Sequence, residues 1–220
     1  MVLIGGVDEA GRGCVIGPLV IALTSVEENK VPNLVEAGVK DSKRLTPRKR
    51  ILVASSIRRI ARVVEVRRIS ASRIDTLRGR GVNLNEIEAM LIGSILGKQR
   101  RGTIYVDSVD RDCERFRTMI LKHASGFKGR LIVRNYLDES NPLVGAASII
   151  AKVERDKAVK LLLRKAGLPE CSGYLGDSDT VSLVEQLLRS GSGKNILRRS
   201  WSTVGRIRAC LNQDSLSRFF

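Results

Sequence analysis

Two carboxylates side by side, Asp8 and Glu9, stand directly before a glycine-bracketed arginine in GVDEAGRGCVIGPL, the stretch from Gly6 to Leu19. Carboxylates are hard oxygen donors for a divalent cation. Around Arg12, the absent side chains of Gly11 and Gly13 would let the backbone of this Gly11–Arg12–Gly13 turn approach a phosphate or sugar. A tight hairpin turn asks for the same glycines, and the two roles are compatible. Farther on, TIYVDSVD ends an apolar strand on Asp107 with Asp110 in the turn, and NYLDESNPLVGAASIIAKVERD places Asp138 just before a helix. A carboxylate at a strand end projects from a rigid support into the space beyond the sheet, as a metal site requires. Taken singly, each acid also has a plainer explanation: Asp8 caps a turn, Asp107 opens one and Asp138 solvates a loop.

The chain carries 39 Lys and Arg against 23 Asp and Glu, a formal net charge of +16. Such a surplus attracts polyanions, with an affinity that falls as salt rises. An arginine surplus also occurs in ion-paired proteins adapted to heat. Aromatic residues make up only 4%, which argues against single-strand binding on an extended aromatic platform. Cys14, Cys113, Cys171 and Cys210 form no CxxC pair, so neither a zinc ribbon nor a disulfide framework is indicated. No apolar run is long enough to span a bilayer, and MVLIGGVDEA lacks the basic and long apolar regions of a signal peptide. A soluble cytoplasmic protein with no membrane partner is expected. His123, the one histidine, reads as a helix-end residue.

These residues need elements to position them. Val2 to Val7 and Gly17 to Ser25 read as buried strands of a hairpin, followed by a helix over Pro47 to Ile60 with Thr46 as its N-cap. Arg62 to Ile69 suggests a third, partly exposed strand, and Leu84, Ile87, Leu91 and Ile95 repeat at helical spacing. Thr103 to Val106 is a short strand, Arg111 to Lys122 a helix and Arg130 to Val133 a fifth strand. Three strands, then strands alternating with helices, imply an α/β fold with a mixed sheet flanked by helices. From about Leu143 the pattern is helical to Lys165, then around Val181 to Arg189 and Trp201 to Leu211. The expected division is a catalytic core over 1–142, a helical region over 143–212 and a tail over 213–220.

In combination these motifs resemble the ribonuclease HII family, specifically its archaeal type. The resemblance rests on GVDEAGRG with IGPLV, KDSKRLTPRKR, NLNEIEAM, IYVDSVD, LDES before AASIIAKVERD, SGY and RSWSTVGRI, in the family's order over nearly the whole chain. It implies an RNase H-like mixed five-stranded sheet with a helical C-terminal region. It implies metal-binding and catalytic roles for Asp8, Glu9, Asp107 and Asp138, holding two Mg²⁺ or Mn²⁺ ions. It also implies that Gly11, Arg12 and Gly13 probe the ribonucleotide, that Tyr174 stacks on the neighbouring sugar and that Lys43 contacts phosphate. The implied substrates are RNA–DNA hybrids and duplex DNA carrying a ribonucleotide, cut on its 5′ side to leave 3′-hydroxyl and 5′-phosphate ends. Cys14 stands where proline is common in the family, and LDES departs from its usual wording around Asp138.

The last eight residues, QDSLSRFF, match the sliding-clamp motif QxxLxxFF at Gln213, Leu216, Phe219 and Phe220. Leu216 with the two rings would form an apolar plug for a PCNA-like clamp, with Gln213 in an adjacent polar pocket. A terminal segment folding back on its own core is the alternative. Two other readings of the whole chain stay open here: a nuclease of the same fold that needs no ribonucleotide, and a non-catalytic basic nucleic-acid-binding adaptor recruited by a clamp. A monomer is the simpler expectation.

Overall fold

The computed structural model describes residues 3–39, 45–99 and 101–216, the last three of these by backbone alone. β1 (Leu3–Ala10) and β2 (Leu19–Glu27) pair antiparallel, with Gly6 opposite Thr24 and Asp8 opposite Ala22, as the hairpin reading requires. β1 runs past Val7 because Asp8, Glu9 and Ala10 remain paired with β2. β2 starts late because Gly17 takes a left-handed φ of 87°, which ends the turn rather than entering the strand. β3 (Val63–Ile69) flanks β2, while β4 (Thr103–Asp107) lies parallel to β1 and β5 (Arg130–Arg134) parallel to β4. The order β3-β2-β1-β4-β5 is the expected mixed five-stranded sheet.

Local chemistry fixes the helix starts. In α2 (Pro47–Ile60), proline opens the first turn and the Thr46 hydroxyl accepts from the Lys49 N–H. Two helices unread in the sequence precede and follow it: α1 (Val31–Glu36), too short to show periodicity, and α3 (Ala71–Gly79), whose Ser70 cap opens a segment crowded with arginine. Asn83 caps α4 (Leu84–Leu96) and Asp112 caps α5 (Cys113–His123), each through a side-chain oxygen.

The chain forms two compact units, one of Met1–Ala10, Val20–Arg68 and Asn83–Glu154, the other of Gly11–Leu19, Ile69–Val82 and Arg155–Phe220. One boundary between the units falls between Glu154 and Arg155. In the first unit, alternation along the strands gives the sheet two apolar faces. Val7, Leu23, Ile104, Val106, Leu131 and Val133 pack on α4 and α5 through Ile92, Leu96, Phe116 and Ile120. The other face, with Ala22 and Val26, meets Leu34 of α1, Ala54 and Ile57 of α2, and Ala146, Ile149 and Ile150.

Those last three residues belong to α7 (Pro142–Lys165), which follows the one-turn α6 (Leu137–Ser140). A Cβ on Gly6 would land on the backbone of Leu143 and Val144, so the missing side chain lets α7 lie directly on β1. The Thr24 hydroxyl, opposite Gly6, donates to the Leu143 carbonyl at 3.1 Å. Two residues of strand advance about 6.7 Å. Four residues of helix advance about 6 Å. Hence the step from Gly6 to Asp8 matches that from Val144 to Ser148, and this brings the α7 hydroxyl to the carboxylate.

The second unit has its own apolar cluster, in which Val15, Ile16, Val159, Leu163, Leu183, Leu187 and Leu197 are buried. It joins the end of α7 to α8 (Ser178–Arg189) and α9 (Ser202–Leu216). No helix among the described residues is long and apolar enough to cross a membrane.

Gly6→Ala tests the contact between β1 and α7. The added methyl meets backbone, which cannot rotate away, so a loss of about 1–3 kcal/mol is expected in denaturant unfolding. Unchanged stability would show that α7 can retreat freely from the strand.

Candidate active site

Because β1, β4 and β5 are parallel, their carboxyl ends lie at one end of the sheet, and three of the four expected acids arise there. Val7 pairs with Val106, so Asp8 and Asp107, the next residue of each strand, come side by side on the face that carries α7. Asp138 follows β5 by four residues, in α6. Tyr136 adopts a left-handed φ of 60° between them and turns the chain, and the Leu137 N–H donates to Asp107 Oδ1 at 2.8 Å. Asp107 is thereby tied to the segment that bears Asp138. Glu9 leaves the strand on the opposite face, yet its side chain reaches Asp8.

Asp8 is buried, and desolvation pushes its carboxyl above the usual aspartate value. Pulling it down are the Ser148 hydroxyl, the backbone and side chain of Glu9 and the Lys152 ammonium. The Ser148 hydroxyl is itself buried and faces Asp8. Among the described residues no three His, Cys, Asp or Glu side chains are close enough together to hold a metal ion as placed. The donor chemistry nevertheless fits a hard cation: every candidate is a carboxylate oxygen, and a positive charge would offset the burial of Asp8.

The glycine-bracketed loop lies in the second unit. Gly11 has φ of 87°, and a Cβ there would press on the Pro18 carbonyl at 2.8 Å. Gly13 is exposed with no atom near its would-be Cβ, which leaves its backbone accessible. The loop is gripped from beneath by Arg198, fully buried, whose Nη1 donates to the Arg12 carbonyl and whose Nε donates to that of Gly17, both at 3.0 Å. Burial lowers the Arg198 guanidinium to about 10. Tyr174 is 43% exposed and follows Gly173, whose carbonyl accepts from the Val15 N–H at 2.9 Å. Burial of part of the ring and contact with Cys14 raise its hydroxyl to about 12.

Other expected residues have settled roles. Both oxygens of Asp110, an alternative ligand in the sequence, engage Arg115, with Asn85 adding a contact at 3.0 Å. These contacts hold its carboxyl below the usual range. His123 ends α5 as expected and pairs through Nε2 with Glu86 at 2.6 Å. Lys43, Phe219 and Phe220 lie outside the described residues; Gln213 is exposed on α9, and Leu216 ends that helix. Ser148, Lys152, Arg155 and Arg198 were not singled out in the sequence. Ser148 and Lys152 share the i, i+4 stripe of α7 that begins at Val144, but only the packing direction marks that stripe as facing Asp8.

The model of the family described as Ribonuclease HII matches residues 5–204. The chain belongs to this family. It is similar to ribonuclease HII of Methanothermobacter thermautotrophicus, 44% identical with 90% of this chain and 96% of the relative covered. Among solved structures it is similar to ribonuclease H2 from Pyrococcus horikoshii, with TM-score 0.84, 37% identity and coverage of 96% of this chain and 99% of that one. It is also similar to the chain in the PCNA:RNase HII complex from Archaeoglobus fulgidus, with TM-score 0.81, 36% identity and coverage of 90% and 95%. The RNase H-like fold is thus established. As a ribonuclease HII the protein is a hydrolytic endoribonuclease of RNA–DNA hybrids, and the adaptor reading is not favoured.

The loop bearing Tyr174 is braced by Asp177, the N-cap of α8. Its carboxylate accepts from the Ser172 N–H at 2.7 Å and from Thr180, whose hydroxyl accepts from the Gly173 N–H. These donors lower its pKa to about 2. The unfolded value is about 3.9, so the stabilisation is complete above that pH and is lost as pH falls through the folded value of about 2. Asp177→Asn is expected to flatten the fall in stability between those limits, by up to about one proton of slope, in urea unfolding measured against pH. An unaltered slope would remove Asp177 as an acid-sensitive brace.

Proposed function

We propose that this ribonuclease HII cuts on the 5′ side of a ribonucleotide, including a single one in duplex DNA, leaving 3′-hydroxyl and 5′-phosphate ends. The observation that carries the catalytic reading is the register of β1 and β4, which sets Asp8 beside Asp107 at the carboxyl end of the sheet. Asp8, Glu9, Asp107 and Asp138 are the proposed ligands for two Mg²⁺ or Mn²⁺ ions. Bound there, such ions supply an acidified water for attack and charge stabilisation for the leaving 3′ oxygen. Asp8 contributes negative charge from a desolvated position, and Lys152 and Ser148 favour its ionised form. The Leu137 N–H orients Asp107 toward the α6 segment.

Selection of the ribonucleotide falls to the Gly11–Arg12–Gly13 loop, where the exposed backbone of Gly13 can bond a 2′-hydroxyl. Tyr174 offers a ring to the neighbouring sugar, and Lys43 a charge to phosphate. The net charge of +16 supports association with the duplex. Gln213, Leu216, Phe219 and Phe220 are proposed to bind a PCNA-like clamp, a reading supported by the motif and by the relative solved with PCNA. In this reading the enzyme works as a monomer in the cytoplasm.

The test is cleavage of an end-labelled DNA duplex with one ribonucleotide, beside an all-DNA duplex, in Mg²⁺, Mn²⁺ or EDTA. Metal-dependent cutting only 5′ of the ribonucleotide is expected. Asp107→Asn, which keeps the side-chain shape, should fold and bind the duplex but lose cleavage by about 100-fold or more. Cutting of both duplexes would replace the proposal with a general nuclease, and normal turnover by the variant would remove Asp107 from catalysis.

For the tail, Phe219→Ala with Phe220→Ala should leave cleavage of a short duplex intact. Loss of the two rings should weaken clamp binding at least about tenfold by calorimetry. Equal affinity would refute the clamp assignment.

A further inference from the structure

Arg155 belongs to no proposed contact with substrate or metal, yet it joins the two parts of the second unit that are read as selecting the ribonucleotide. It is 3% exposed, unusual for an arginine without a buried acid beside it. Its guanidinium lies over the Tyr174 ring, 4.8 Å from the centroid, so one face of the ring is covered from within the protein. The residue is nonetheless 43% exposed, so it stays accessible to a ligand.

The same guanidinium is fixed on several sides. Nη2 donates to the Ser172 carbonyl, two residues before Tyr174, and to Cys14 Sγ at 2.9 Å. Nη1 donates to Asp156 at 3.1 Å. Cys14 also contacts the Tyr174 hydroxyl, and its amide donates to the Gly11 carbonyl at 3.4 Å. The arginine stem runs under the loop itself: a Cβ on Gly11 would lie 3.3 Å from Arg155 Cγ. A Cβ on Gly173 would lie 2.7 Å from Nη2, so glycine is needed on both sides of the guanidinium.

We propose that Arg155 is a positioning residue that locks Tyr174 to the Gly11–Gly13 loop, with Cys14 as the joint between them, and thereby sets the efficiency with which a ribonucleotide is selected. This rests on the reading of Tyr174 as the ring against the sugar. A planar fork is required, since one group must donate in two directions while stacking on a ring. Lysine, a point charge on a flexible stem, cannot do both.

The experiment is a double-mutant cycle between Arg155→Met and Tyr174→Ala, reading kcat and KM on the single-ribonucleotide duplex, with thermal unfolding of each variant. Arg155→Met is expected to lower kcat about tenfold with the tyrosine present and less than about twofold without it. Arg155→Lys should recover little of that loss although it keeps the charge. Should the methionine variant fail to fold, Cys14→Ala, which removes only the sulfur joint, takes its place in the cycle with the same non-additivity expected. Equal losses in both tyrosine backgrounds would overturn the coupling while leaving the role of Tyr174 intact. If Tyr174→Ala alone cleaves normally, the role given to Tyr174 fails, and the coupling fails with it because Arg155 then has no selecting ring to position.

Discussion

The close seating of α7 on β1 is the constraint from which the arrangement at the carboxyl end of the sheet follows. Gly6 has no side chain, so the helix backbone at Leu143 and Val144 occupies the space where a Cβ would be. From that contact the two elements advance at nearly the same rate, two strand residues for each four of the helix. Asp8 is therefore delivered to Ser148 and Lys152, buried against a helix yet supplied with a hydroxyl and a cation. A bulkier residue at position 6 would lift the helix and change the surroundings of the carboxylate two residues away.

Parallel pairing does the rest of the gathering. Strands that run in one direction bring their carboxyl ends to one end of the sheet, so Asp8 and Asp107, distant in sequence, stand on neighbouring strands. Asp107 arrives in register with Asp8, and Asp138 through the left-handed turn at Tyr136. Asp110, three residues after Asp107, serves a different purpose: its ion pair with Arg115 and bond to Asn85 hold the loop after β4. Two aspartates in one short motif are thus separated by what surrounds them, one bonded at the strand end by the Leu137 N–H and the other held by a guanidinium.

The second unit relies on buried arginines. Arg198 holds the Gly11–Gly17 turn by two carbonyls and stacks 4.9 Å from the Trp201 ring, while Arg155 serves the Tyr174 loop. Burying a guanidinium is costly unless its donors find acceptors, and backbone carbonyls of tight turns provide them. Such networks tolerate little displacement, because each lost bond leaves a buried charge less compensated. Glycine-rich turns that would otherwise be loose are in this way given one geometry.

The sequence by itself determined the elements and their chemistry: α2 from Thr46 and Pro47, α4 from its helical repeat, the five strands, and the acids and glycines that mark the family. These are local properties, set by period, caps and residue type. It did not disclose α3, where charge hides the spacing of Ala71, Ile74 and Leu77, or α6, a single turn. Nor did it show that Ser148 and Lys152 attend Asp8, that Asp110 is spent on Arg115, or that Arg155 joins Cys14 to Tyr174. Only tertiary structure decides these, because each depends on which face of one element meets another, and helical or strand periodicity states that a face exists without stating what it touches.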